Sequence, residues 1–376
     1  MKVILLDTTH KHLINELNKR NVICHEEYSK SKDQIEKIID QYDGVVIRSR
    51  FKIDKKFIKK GKNLKFIARA GSGLENIDVE FANEKNIKCI NAGEGNKQAV
   101  AEHALGMILS LVNNIHISNN EIKNGKWKRE ENRGIELSEK TIGIIGFGNT
   151  GSAFVNLLEN FNLKILVYDK FKTDYKYKTS LTKIYQEADF ISLHIPLNKE
   201  NTNYLNEKFI EKMKKPFYLI NTSRGKCVNN KALVKALRKN KILGTCLDVL
   251  EQEKSSFENI EKNQELDYLM NSGKTILTPH IAGWTKESYF KISHTSTNNE
   301  VFIPRDQHFL LGRLGFGKEV SSLYNDACCS RKQLVLNHDS RSNRLTLRVN
   351  RVSNHPRVYP RCDLNSYFFI CPPLYT

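Results

Sequence analysis

The chain has 376 residues, enough for two domains, and 39% of them are hydrophobic, enough to fill two cores. No apolar run approaches the ~18 residues of a membrane span, and the eight cysteines form no C-x-x-C pair, which speaks against a structural metal site and for a reducing, cytoplasmic setting. The formal net charge of +18 comes mainly from lysines scattered among Asn and Ile; this pattern reads as a solvated basic surface that favours anionic ligands, rather than as a nucleic-acid face.

Met1–Asp7 reads as a first strand and lacks the apolar core and small-residue cleavage site of a signal peptide. Strand patterns at Val3–Leu6, Val22–His25, Val45–Ile47, Phe66–Ala68 and Lys88–Asn91 alternate with helical ones such as Ile35, Ile38 and Ile39. That alternation predicts a parallel α/β domain over residues 1–95. Two segments follow strands, where ligands sit in open parallel sheets: Arg48-Ser49-Arg50 and Arg69-Ala70-Gly71-Ser72-Gly73. The turn with Gly71 and Gly73 can aim N–H groups at a carboxylate. Taken alone, two ordinary basic loop segments are the better explanation of them. Residues 96–124 carry the longest helical pattern, through Val100, Ala104, Leu105, Ile108, Leu111, Val112 and Ile115, and Gly125 stops it. This helix is expected to link the two domains; its apolar face suits either a core or a second copy.

The most informative stretch is Thr141–Gly151. Ile142, Ile144 and Ile145 form a buried-strand pattern that runs into Gly146, Gly148 and Gly151, spaced G-x-G-x-x-G, with Asn149 and Thr150 between. An apolar helical pattern through Phe154, Leu157 and Leu158 follows, and a second strand, Ile165–Tyr168, ends at Asp169. This is the strand–helix–strand context of a dinucleotide fingerprint: glycines for the turn and the close approach, a helix N-terminus for the pyrophosphate. Asp169 stands 18 residues after Gly151, where a carboxylate accepts both ribose hydroxyls and repels a 2′-phosphate. The expected cofactor is NAD, with Lys170 and Lys172 as neighbours that dilute the preference.

Six strands are expected between 141 and 283, at 142–145, 165–168, 190–193, 217–221, 245–249 and 275–278. The unusual residues collect at their ends: Gly146, Asp169, His194 with Pro196, Thr222-Ser223-Arg224-Gly225, Asp248 and Pro279-His280. Strand ends of one parallel sheet share one crevice, so residues far apart in sequence meet there. Hydride transfer from an alcohol carbon needs a group for the hydroxyl proton, a partner for that group and a cation for the substrate. His280 suits the first, Glu253 could stabilise its imidazolium, and Arg224 offers a planar fork for a carboxylate. Asp248 could accept from the nicotinamide amide. Glu251, two residues before Glu253, competes for the partner role.

With Asn96–His103, the segments Gly146–Gly151, Asn221–Gly225, Leu247–Glu253 and Thr278–Gly283 resemble the D-isomer-specific 2-hydroxyacid dehydrogenases over residues 1–292. The resemblance implies an α/β fold of two doubly wound parallel-sheet domains, the second a Rossmann NAD-binding domain over 96–283. It also implies a homodimer through 96–124, Arg224 on the substrate carboxylate and carbonyl, Glu253 tuning the histidine, and His280 as acid/base. Ile47–Arg50, Ala68–Asp78 and Asn124–Trp127 are similar to the phosphoglycerate-oxidising branch. That implies oxidation of 3-phosphoglycerate, the entry step to serine, with Arg48, Arg50, Arg69 and the 70–73 turn on the substrate. The family pattern has Pro after the glutamate where this chain has Lys254. The alternatives are a reductase of glyoxylate, hydroxypyruvate or another small 2-oxo acid, and a non-catalytic NAD sensor.

A helix starting at Lys286-Glu287-Ser288 is expected to return to the first domain over 284–293. Beyond it the composition changes: residues 1–293 hold 41 Lys and 8 Arg, residues 294–376 hold 2 Lys and 9 Arg. The expectation for 294–376 is a foreign, out-of-frame or disordered tail. Its rival is a basic nucleic-acid arm built on Arg341, Arg344, Arg348, Arg351 and Tyr359.

Overall fold

A computed structural model of the chain describes residues 1–253, 263–297, 332–339 and 344–351. The N-terminal lobe is built on β1 (Lys2–Leu5), β2 (Ile23–Glu26), β3 (Gly44–Ile47), β4 (Phe66–Arg69) and β5 (Lys88–Asn91). All pair in parallel, in the order β2-β1-β3-β4-β5. The central strands Gly-Val-Val-Ile and Phe-Ile-Ala-Arg are buried along their whole length, as a sheet covered on both faces requires. Helices α1 (Lys11–Lys19), α2 (Lys32–Glu36), α3 (Lys55–Lys60) and α4 (Val79–Glu84) cover it. Ser31, Asp54 and Asp78 cap the last three by accepting backbone N–H bonds. Ile4, Ile47, Phe57 and Ile67 fill one face, and Val3, Leu5, Leu17 and Phe66 the other.

The second lobe opens with α5 (Lys97–Val112) and α6 (Ile115–Lys123). The single helix expected over 96–124 is therefore two. Asn114 takes a left-handed backbone at φ 52° and breaks it, a conformation asparagine tolerates. Then come β6 (Thr141–Ile145), α7 (Asn149–Leu158), β7 (Lys164–Tyr168), α8 (Leu181–Glu187), β8 (Phe190–Leu193), α9 (Glu207–Lys212), β9 (Phe217–Asn221), α10 (Asn230–Arg238), β10 (Ile242–Leu247), α11 (Gln264–Asn271) and β11 (Thr275–Leu277). The six strands run parallel in the order β11-β10-β9-β8-β6-β7. Outside β7, Lys178 forms a single parallel bridge to Val167. With that bridge counted as a shortened strand, the sheet has the 3-2-1-4-5-6 order of a dinucleotide fold with one strand added. Its topological switch lies between β6 and β8, so the carboxyl ends of these two strands open the ligand crevice.

The chain crosses between lobes twice, at residues 92–97 and 283–286. The two crossings touch where a side-chain carbon on Gly283 would lie 2.5 Å from Asn96 Nδ2, and Gly95 lies against the helix that follows, where such a carbon would be 2.6 Å from the Ile292 nitrogen. After the second crossing, α12 (Lys286–Thr297) returns to the first lobe. Thr285 and Ser288 cap its start reciprocally, each N–H donating to the other's hydroxyl at 3.0 Å. Tyr289 and Phe290 stand edge-on to His10 of the first lobe, centroids 5.6 and 5.3 Å apart. Among the described residues no helix is long and apolar enough to cross a membrane.

Met1–Ile303 forms one compact unit and Pro304–Thr376 a second. In the second, β12 (Lys332–Asp339) and β13 (Arg344–Arg351) pair antiparallel, from Lys332 opposite Arg351 to Asp339 opposite Arg344. Arg344, Arg348 and Arg351 thus lie on a strand, whereas Arg341 and Tyr359 lie outside the described residues.

Candidate active site

The glycine turn leaves β6 at Gly146, whose φ of +97° is one that L side chains rarely adopt. A side-chain carbon there would lie 2.4 Å from the His194 carbonyl oxygen, at the end of β8. Gly148 stands at the N-cap of α7 with no side-chain cap bond, and a carbon added to it meets nothing within 4 Å. The first N–H groups of α7, on Asn149 and Thr150, have no acceptor among the described residues and stand at the positive end of the helix dipole, which fits a pyrophosphate. Asp169 Oδ2 accepts from Phe147 N at 2.7 Å, and Oδ1 from Phe171 and Lys172 N at 2.9 and 3.0 Å. Burial works against its charge, yet these donors and the Lys172 ammonium hold the carboxyl below its ordinary range. The two lysines that dilute the NAD preference are engaged elsewhere: Lys170 pairs with Glu200 at 2.6 Å and Lys172 reaches the Phe147 carbonyl at 2.6 Å.

His194 lies under the start of α7, 2.9 Å from Ser192 Oγ and 3.3 Å from Thr150 Oγ1. Burial pushes its imidazole down to about 4, so it is a neutral support for the phosphate loop. Pro196 follows on the same loop and its carbonyl accepts from Asn201. Thr222, at the end of β9, is buried, and its hydroxyl has no partner among the described residues.

The catalytic candidates come together. His280 Nδ1 lies 2.8 Å from Glu253 Oε2, and Leu250 N donates to Glu253 Oε1 at 2.5 Å. Glu251 accepts instead from Asn230 N at the start of α10, 3.1 Å away, which removes it as a partner of the histidine. Lys254, the departure from the family pattern, lies outside the described residues.

His280 has φ +57°, a strained backbone for a residue with a side chain. The strain is over-determined by Asp248. The carboxylate takes Thr278 Oγ1 at 2.6 Å, Ile281 N at 2.8 Å and Ala282 N at 2.8 Å, while its own carbonyl takes His280 N at 2.8 Å. Asp248 is only 1% exposed; its observed work is to clamp the histidine loop. His103 on α5 closes this network, 3.0 Å from Thr278 Oγ1. Neither His103 nor Thr278 was expected here.

Arg224 follows β9 and faces the first lobe. Its Nε donates to Glu75 Oε1 at 2.6 Å and its Nη1 to the Ser223 carbonyl at 2.7 Å. Two of the other arginines give most of their bonds to backbone carbonyls. Arg50 gives its guanidinium to the carbonyls of Leu6, Glu27 and Lys30. Arg69, 8% exposed, donates to the carbonyls of Arg48 and Gly73 at 2.9 Å each; burial pushes it down to about 10. These bonds brace the loops, because carbonyls at the ends of parallel strands need donors; Arg69 Nη2 has no acceptor among the described residues. Arg48 stacks on Trp284, 4.6 Å from the ring centroid, and Asp7 accepts its backbone N–H. In the 70–73 turn, the N–H groups of Ala70 and Gly71 go to the carbonyls of Ile47 and Arg69. Gly71 therefore does not offer its N–H to a carboxylate. Those of Ser72 and Gly73 have no acceptor among the described residues.

The chain is similar in sequence and in fold to known proteins. The family described as D-isomer specific 2-hydroxyacid dehydrogenase, NAD binding domain, matches residues 105–282. The hydroxypyruvate reductase of Thermotoga maritima is 38% identical over 264 residues, 69% of this chain and 84% of that protein. A D-3-phosphoglycerate dehydrogenase of Synechocystis sp. is 35% identical over 269 residues, 70% of this chain and 47% of that protein; the chain spans about half the length of such relatives. The D-lactate dehydrogenase of Aquifex aeolicus, solved with NAD and lactic acid, superposes with a TM-score of 0.67 at 28% identity, over 79% of this chain and 93% of that one.

Proposed function

From the premise that this chain belongs to the D-isomer-specific 2-hydroxyacid dehydrogenase family, we propose that it oxidises 3-phosphoglycerate to 3-phosphohydroxypyruvate with NAD, and runs the reverse reduction. NAD supplies the hydride acceptor and donor. Gly146, Gly148, Asn149, Thr150 and Gly151 hold its phosphates, Asp169 its ribose, and Thr222 and Pro196 line its site. The observation that carries the reading is the His280–Glu253 pair at 2.8 Å, on a loop clamped by Asp248 and on the same sheet edge as Arg224.

Each residue then has a step. The Nη edge of Arg224 holds the substrate carboxylate. Glu253 accepts from His280 Nδ1, and the ring's Nε2 takes the hydroxyl proton in oxidation and returns it in reduction. Ser72 and Gly73 N–H groups supplement the carboxylate contact. Arg48 is the arginine assigned to the distal phosphate, Arg50 and Arg69 giving most of their bonds to backbone carbonyls. We place the reaction in the cytoplasm, at the entry to serine synthesis. A homodimer through α5 and α6 is supported by Ile115, Ile122 and Trp127, exposed at 53, 51 and 80%.

A second reading, reduction of hydroxypyruvate or glyoxylate, is favoured by the engagement of Arg50 and Arg69 with backbone carbonyls. NADH oxidation with 3-phosphohydroxypyruvate, hydroxypyruvate and glyoxylate tests both. A preference of at least about tenfold in kcat/KM for the phosphorylated acid is expected; equal or better turnover of the others moves the substrate to the second reading. Glu253→Gln should lower kcat about 10²-fold or more while NADH still binds. NADH binding with no turnover of any acid would make the chain a sensor.

A further inference from the structure

The Arg224–Glu75 contact joins the two lobes. Arg224 stands after β9 in the second, and Glu75 lies six residues past the end of β4 in the first. The distance is 2.6 Å, and both side chains are largely buried, 20 and 28% exposed. The pairing is side-on: Glu75 takes Nε, the Ser223 carbonyl takes one Nη1 proton, and Nη2 meets no acceptor among the described residues. The terminal edge of the guanidinium, the one that fits a carboxylate with two parallel hydrogen bonds, is thus the edge that Glu75 does not use. The surroundings are built for the pair. A carbon on Gly73 would lie 2.0 Å from both Arg224 Nη2 and Glu75 Oε2, so only a bare backbone leaves room. Arg69 holds the Gly73 carbonyl at 2.9 Å, and its charge adds to that of Arg224 on Glu75.

From this geometry we infer that Glu75 is a positioning residue for the substrate anchor: it fixes the Arg224 fork side-on, across the lobe boundary, so that the Nη1–Nη2 edge meets the substrate carboxylate. Two consequences separate it from a mere packing contact. The anchor is aimed only when both lobes are in place, so carboxylate recognition depends on a residue of the lobe that does not bind the dinucleotide. Glu75 also balances the positive charge of Arg224 and Arg69, which would otherwise repel each other in a partly buried cleft. This inference rests on the proposed 2-hydroxyacid chemistry of the same site.

The test uses the full chain as wild type, Glu75→Gln, Glu75→Asp and Gly73→Ala. Each is measured for kcat and KM with 3-phosphohydroxypyruvate, hydroxypyruvate and glyoxylate, and for NADH affinity by fluorescence. Gly73→Ala parts the pair without changing a charge, and the added carbon meets only the tips of two side chains. The expected result is a rise in KM of about tenfold or more for Glu75→Gln and Gly73→Ala, partial recovery in Glu75→Asp, and NADH affinity within about twofold of wild type. A lower KM in Glu75→Gln would show that Glu75 competes with substrate for Arg224 and would overturn the inference. So would an unchanged KM, or a loss of NADH affinity parallel to the rise in KM. A wild type inactive on all three acids would instead overturn the functional reading, and the inference with it.

Discussion

Single residues carry the chemistry here through what their neighbours commit them to. Arg48, Arg50 and Arg69 look alike in the sequence, three cations at strand ends. The structure separates them by where their donors go, and no spacing rule reveals that. Glu75 and His103 were missed for the converse reason: each lies in a segment whose resemblance was noted, yet its partner is more than a hundred residues away. One signal was available for Glu75, a lone carboxylate beside a turn otherwise lined by arginines. By contrast His280, Glu253 and Arg224 were legible as a set, because parallel strands must deliver their ends to one edge. His194 gives a prediction at this scale. Its imidazole is buried and held down to about 4, so as pH falls below its ordinary value of about 6.5 the unfolded chain takes up a proton that the folded chain refuses. Stability should therefore fall on acidification, with a slope from this group of up to about 1.4 kcal/mol per pH unit. Urea denaturation at pH 7.5, 6 and 5 should show the slope reduced in His194→Gln.

Elements were easier to read than their edges. β6, β7, β8 and β9 lie where apolar runs place them, since strands covered on both faces leave no polar alternation to confuse. The helix over 96–124 was misread because its apolar period persists across Asn113 and Asn114, and only backbone geometry shows the break. The bridge at Lys178 was invisible for another reason: the segment around it is polar and contributes one residue to the sheet edge. The turn between β6 and α7 is the element on which cofactor binding rests, and Gly146 is its least replaceable part. Gly146→Ala would force a side chain into φ +97° and against the His194 carbonyl. The expected effect is a stability loss of about 2–4 kcal/mol and a fall in NADH affinity of more than about tenfold. Denaturant melts and fluorescence titration measure the two separately.

At the scale of the whole molecule, α12 closes the compact unit Met1–Ile303 by laying Tyr289 and Phe290 on the first lobe. The change in basic composition near residue 294 falls within this helix, so a shift in residue usage does not coincide with the end of a structural unit. A chain ending at Ile303 should keep its NADH affinity and its midpoint in urea. One ending at Gly283 should lose about 1–2 kcal/mol, less than the worth of a fully buried aromatic side chain, because Tyr289 is only partly buried and Phe290 is 42% exposed. Loss of NADH binding on removal of 304–376 alone would instead tie the second unit to the nucleotide lobe.

The two crossings between the lobes have a mechanical consequence. A body tethered at one point can swing in any direction; one tethered at two adjacent points turns only about the line through them. Asn96 against Gly283, and Gly95 against the backbone of Ile292, put both tethers side by side at one end of the cleft. Two tethers side by side favour a hinge rotation of the lobes, and an opening of that kind would separate Glu75 from Arg224 and a closing would bring them back in register.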